Sequence, residues 1–91
     1  MAEAIPDYNF TLHALRQIRR RRLTLDLVHQ VMRDPEQRFP ITIRRDILQK
    51  RAMIGGAQYL VRVVVDVGTK PPEVVTAYKT SKIPKYWRTD S

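Results

Sequence analysis

Cysteine is absent from the 91 residues, so neither a disulfide framework nor a thiolate metal site is available, and the fold has to hold by packing. Long apolar runs are missing as well. The longest covers three residues, Val63 to Val65, far short of the ~20 that cross a bilayer as a helix. The opening Met1-Ala2-Glu3-Ala4-Ile5-Pro6-Asp7 has no basic start followed by an apolar stretch, so no membrane span and no signal peptide is expected. A cytoplasmic home fits both absences. The only histidines, His13 and His29, lie sixteen positions apart with no carboxylate at ligand spacing, so neither a metal nor a cofactor is expected.

Acidic residues are scarce too: 9 Asp plus Glu against 17 Lys plus Arg leave a net charge of +8. That imbalance points to an anionic partner. The length suits one domain over residues 1–91, with an ordered core from about 8 to 87. With 43% hydrophobic residues there is material for one core and too much for a disordered chain.

Along the chain, Leu12, Leu15, Ile18 and the stem of Arg22 recur at helical spacing behind Thr11, a candidate cap. A second stripe, Leu27, Val28, Val31 and Met32, ends before Asp34-Pro35, because proline disfavours helical geometry in the residue ahead of it. The period then changes. Ile41-Thr42-Ile43 reads as a strand, Ile47-Leu48 and Met53-Ile54 flank a basic segment, and Gly55-Gly56 supplies a turn. Tyr59 to Asp66 alternates most clearly, Val74 to Thr80 is the next extended run, and Ser81 to Trp87 suggests a short closing turn or helix. The expected class is α+β: two N-terminal helices followed by a roughly four-stranded antiparallel sheet.

Strand parity sharpens the surface. If Tyr59, Val61, Val63 and Val65 face the helices, Arg62 projects from the opposite, open face. On the last strand Val75 and Ala77 belong inward, which places Thr76, Tyr78 and Thr80 beside Arg62, a set suited to a phosphodiester; a plain polar sheet face is the alternative. Arg16, Arg20, Arg21 and Arg51 join Lys79, Lys82 and Tyr86 as candidate nucleic-acid contacts, against the alternative of a solvated surface. Trp87 reads as packing. His13, in the first turn of the first helix, is the side chain suited to proton transfer at neutral pH; a structural role at the edge of the apolar stripe is the alternative. His29 has no partner pattern and reads as surface.

Phe10-Thr11-Leu12-His13-Ala14, with Ile18, Arg21 and Leu23-Thr24 following, resembles the opening of a family of small prokaryotic domains of unknown function marked by a His-Ala pair and a later helix arginine. Val74 to Lys82 resembles that family's last strand, and the likeness spans roughly Tyr8 to Trp87. The family looks like a branch of the fold shared by RelE and ParE toxins, barnase-like and EndoU-like nucleases and colicin ribonuclease domains. The resemblance implies a metal-independent endoribonuclease, often the toxin of a toxin–antitoxin pair, in which the ribose 2′-hydroxyl attacks its own phosphate. His13 matches the family's helix histidine, Arg21 its helix arginine, and Thr76 and Tyr78 its last-strand polar residues. Gln17 departs from a frequent arginine and Arg22 from a frequent glycine, and relatives of the fold include gyrase inhibitors without nuclease chemistry.

The expected machinery is therefore His13 as acid or base, Arg62 with Arg21 or Lys79 against the developing charge, and Tyr78 or Thr76 on the phosphate or its proton. The expected partners are RNA, free or on the ribosome, and an acidic antitoxin-like protein. A module that grips nucleic acid, a ribosome or a topoisomerase without cutting is the competing expectation.

Overall fold

Two threonines open the helical hairpin. Thr11 Oγ1 accepts from the Ala14 N–H at 3.0 Å and Thr24 Oγ1 from the Leu27 N–H at 3.1 Å, so each satisfies a donor that the first helical turn leaves free. In the computed structural model, which describes residues 2–89, these caps precede α1 (Leu12–Arg20) and α2 (Leu25–Arg33). The first helix ends in a Schellman turn. Leu23 N donates to Ile18 O at 3.0 Å and Arg22 N to Arg19 O at 3.1 Å, with Arg22 in the left-handed region at φ +57°.

Five strands follow the order β1-β5-β4-β3-β2 across one sheet: β1 (Asn9–Phe10), β2 (Gln37–Pro40), β3 (Arg45–Ile54), β4 (Ala57–Asp66) and β5 (Glu73–Thr80). The last four pair antiparallel in succession, whereas β1 lies parallel to β5. The sheet is thus mixed and five-stranded rather than four-stranded and antiparallel. A two-residue strand carries no alternation to read; β1 is held by backbone, Asn9 N to Pro72 O at 2.9 Å and Thr11 N to Val74 O at 3.1 Å, and by Phe10 packing against the core.

Ile41-Thr42-Ile43 is not a strand. Its residues turn the chain between β2 and β3, with Ile41 N donating to Arg45 O at 2.8 Å and Ile43 left 99% exposed. β-Branched side chains favour strands only where a pleated neighbour packs against them, and here the pairing stops at Pro40 opposite Asp46. The Gly55-Gly56 turn is as expected: φ of +59° and +83° give the twist that a two-residue hairpin requires.

The core lies between the helices and one sheet face. Val61, Val63 and Val65 are fully buried there with Leu48, Val74 and Ala77, under Ala14 and Ile18 of α1 and Val28, Val31 and Met32 of α2. Each such Val or Leu contributes about 1.5–3 kcal/mol by leaving water. Two inward assignments change. A β-bulge between Val64 and Val65 sets Val63 opposite Ala77 but Val65 opposite Val74, so Val74 takes the inward place expected of Val75. Leu12 and Leu15, expected in the core stripe, stand 63% and 39% exposed, and α1 packs through Ala14 and Ile18 instead. The other sheet face is crossed by α3 (Ile83–Tyr86) and the residues after it.

The left-handed Arg22 yields a stability prediction. Glycine adopts that conformation without the Cβ penalty, so Arg22→Gly raises unfolding free energy by about 0.5–1 kcal/mol in urea titration, whereas Arg22→Val lowers it.

Candidate functional site

The bulge fixes which side chains meet on the second sheet face. Arg62 sits directly across from Tyr78 and Val64 from Thr76, so Arg62, Thr76 and Tyr78 share a face as strand parity expects. That face is not open at Arg62, which is only 7% exposed. Its Nε donates to Gln49 Oε1 at 2.8 Å and its Nη1 to the Tyr78 hydroxyl at 2.5 Å. The Tyr86 ring lies 4.4 Å from the guanidinium carbon. No carboxylate pairs with Arg62 among the described residues. Every buried side-chain nitrogen or oxygen there has a partner, and Nη2 makes no hydrogen bond to the described residues.

The C-terminal segment is the cover. Gln49, fully buried, donates to Gln37 Oε1 at 2.7 Å and to the Tyr86 carbonyl at 3.2 Å. Gln37 in turn accepts from Arg88 N at 3.0 Å. Trp87 packs as expected, 4.2 Å from the Arg51 guanidinium, and Arg88 lies 3.9 Å from the Phe39 ring. Gln49 passed unnoticed in the sequence; its only signal is a glutamine in the middle of a strand.

Arg21 reaches the same neighbourhood from the end of α1. Its Nη1 donates to Ala77 O at 2.9 Å and Thr76 Oγ1 at 3.2 Å, and Lys79 Nζ donates back to Arg21 O at 3.1 Å. This closes part of the β5 edge beyond β1, where unpaired backbone groups invite another strand. Arg21, Tyr78 and Lys79 line a shallow recess of about 580 Å³ with no acidic side chain in its wall.

His13 stands exposed on α1 and makes no hydrogen bond among the described residues. Its Cα lies about 12 Å from that of Arg21 along the helix axis. At the sheet, Thr11 N donates to Val74 O and Arg21 reaches Thr76, on either side of the bulged Val75.

The remaining candidates divide. Arg16, Arg20 and Lys82 are exposed. Arg51 is engaged, its Nη2 2.9 Å and its Nε 3.1 Å from the Glu36 carboxylate, and Tyr86 stacks on Arg62 rather than standing free for a base. His29 is exposed, as read from the sequence, but not without a partner: its Nδ1 shares a hydrogen bond with the Tyr8 hydroxyl, and Phe10 meets its ring edge-on at 5.6 Å. The partner lies 21 residues upstream, outside any local pattern.

Charge is sorted in space. Residues 8–25 and 74–89 contain no Asp or Glu, and the packing of α1 on β5 brings these stretches side by side. The acids pair elsewhere, Glu36 with Arg51, Asp46 with Arg38, Asp34 with Lys50 and Asp66 with Arg44. No cluster of three metal-ligating side chains occurs among the described residues, nor a helix long and apolar enough to cross a membrane. Comparison with protein-family models, curated proteins and solved structures finds no match.

Two outcomes follow. Arg62→Ala leaves Gln49 and Tyr78 without their donor and costs about 2–4 kcal/mol in urea unfolding. The Arg51 hydrogen bonds hold the Glu36 carboxyl down at about 2 against an ordinary 4.5, over the opposing effect of desolvation. A carboxylate lowered on folding stabilises fully above its unfolded value and loses this as pH falls through the folded one. Glu36→Gln therefore flattens the stability curve between pH 4.5 and about 2; an unchanged slope there refutes the linkage.

Proposed function

We propose that the protein is a toxin-like, metal-independent endoribonuclease whose site is the seam between α1 and β5. The observation that carries this is Arg62: a nearly buried guanidinium whose partners among the described residues are neutral and aromatic, beside the acid-free recess of Arg21, Tyr78 and Lys79. A cation withdrawn from water without a carboxylate is a poised anion receptor, and the anion that matches a +8 chain is a phosphodiester.

The donors define the roles. A guanidinium only donates, so the Tyr78 oxygen accepts from Arg62 and its own proton is left to point elsewhere. Tyr78 then offers that proton to a phosphate oxygen or to the leaving 5′-oxygen. His13 takes the proton of the attacking 2′-hydroxyl, the 2′-oxygen bonds to phosphorus, and the P–O5′ bond breaks. The products are a 2′,3′-cyclic phosphate and a 5′-hydroxyl. Arg21 and Lys79 hold the non-bridging oxygens, Thr76 positions Arg21, and Arg62 acts by fixing Tyr78.

A binding module without cleavage is the second reading, favoured by the absence of any group that orients the His13 ring among the described residues. The two separate in one experiment, in which purified protein acts on cellular RNA in excess chelator and the fragment ends are sequenced. Cyclic phosphate ends are expected, with rates lowered about 100-fold or more by His13→Ala and by Tyr78→Phe. Salt-sensitive RNA binding with no new ends assigns the protein to the binding class instead.

A further inference from the structure

Two leucines that helical spacing assigns to the core lie outside it, together with a third. Leu12 and Leu15 on α1 and Leu25 at the start of α2 are 63%, 39% and 44% exposed, around a cleft of about 540 Å³ floored by the buried Leu23. Arg16 and Arg19 also line this cleft, and no acidic side chain does. On the helical wheel Leu12, Arg16 and Arg19 gather on one side of α1, opposite Ala14, Ile18 and the flank that leads to Arg21.

We infer that this cleft is the docking site for an acidic amphipathic helix of a partner protein. Leucines grouped beside a cleft suit a helix that presents apolar anchors at i, i+3, i+4 and i+7, and a wall bearing two arginines and no acid suits glutamates or aspartates flanking that stripe. Nucleic acid fits poorly here because the cleft is lined mostly by aliphatic carbon, which phosphates do not contact. A second copy of this chain fits poorly as well. It would set Arg16 and Arg19 against their own counterparts in a molecule of net charge +8, and like charges facing each other across an interface disfavour it. The inference stands apart from the ribonuclease reading, since it uses the opposite flank of α1.

The test uses the full chain and synthetic peptides of about five helical turns. The first has a single leucine stripe flanked by glutamates, the second the same composition with the stripe scrambled, and the third lysines in place of the glutamates. Calorimetry and amide chemical-shift mapping are expected to show that the first peptide alone binds, with shifts centred on Leu12, Leu15 and Leu25. Leu15→Ser with Leu25→Ser should weaken it at least tenfold while the thermal midpoint holds, and Arg16→Glu with Arg19→Glu should weaken it similarly. Equal binding of the scrambled or lysine peptide overturns the inference, as do shifts centred on the Arg21 recess or no binding at all. Sedimentation of the protein alone as a dimer that Leu15→Ser dissociates overturns it in favour of a second copy.

Discussion

The whole second face of the sheet is organised by one cation taken out of water. Arg62 occupies the middle of β4, the most buried strand, where a carboxylate partner is the usual way to offset the desolvation of a guanidinium. Here the offset comes from a glutamine oxygen, a phenol oxygen and an aromatic ring. Each of these needs its own support. Gln49 is satisfied by Gln37 and the Tyr86 carbonyl, and Tyr86 is carried by a segment that Gln37 and Arg51 hold in place. The path of the C-terminal residues across the sheet thus follows from the solvation demand of Arg62 as well as from apolar burial, since α3 itself contains no buried residue.

This division separates stability from chemistry. On the helix side the core is aliphatic and insensitive to ions. On the tail side buried Leu60, Val64 and Ile47 surround a polar set, Arg62 and Gln49, whose hydrogen bonds are worth little individually but costly to leave half made. Tyr78 belongs to both sets, as an acceptor that keeps Arg62 satisfied and as a hydroxyl at the margin of the Arg21 recess. A group so shared is held in one orientation by the fold, the preorganisation that the proposed cleavage requires of it.

The parts of the molecule written in local pattern were legible in the sequence. Thr11 capping, the two helices, the Gly55-Gly56 turn and the inward parity of Val61, Val63 and Val65 depend on residues a few positions apart. Parity likewise put Arg62, Thr76 and Tyr78 on one face. What failed was non-local. The bulge at Val64 and Val65 shifts the partners on β5 by one residue without a mark in either strand, β1 pairs across more than sixty positions, and Leu12 and Leu15 have helical spacing but no neighbour to cover them. Strand parity alone leaves Arg62 on an open face for the same reason: its cover arrives from the far end of the chain.

The distribution of acids ties these observations together. Glu36, Asp46, Asp34 and Asp66 neutralise cations belonging to β2, β3 and their connections, whereas α1 and β5 bring two acid-free stretches of sequence into contact. Potential adds over such a surface, so the excess of +8 is concentrated around α1 instead of spread evenly. The helix then presents that charge in two settings: polar and aromatic on the flank toward Arg21 and Tyr78, aliphatic on the flank bearing Leu12 and Leu15. Electrostatics alone draws an anion to either side; the neighbouring atoms differ, hydroxyls and guanidinium donors on one flank and leucines on the other, and on that difference rest the proposed phosphodiester and the inferred carboxylate-rich helix.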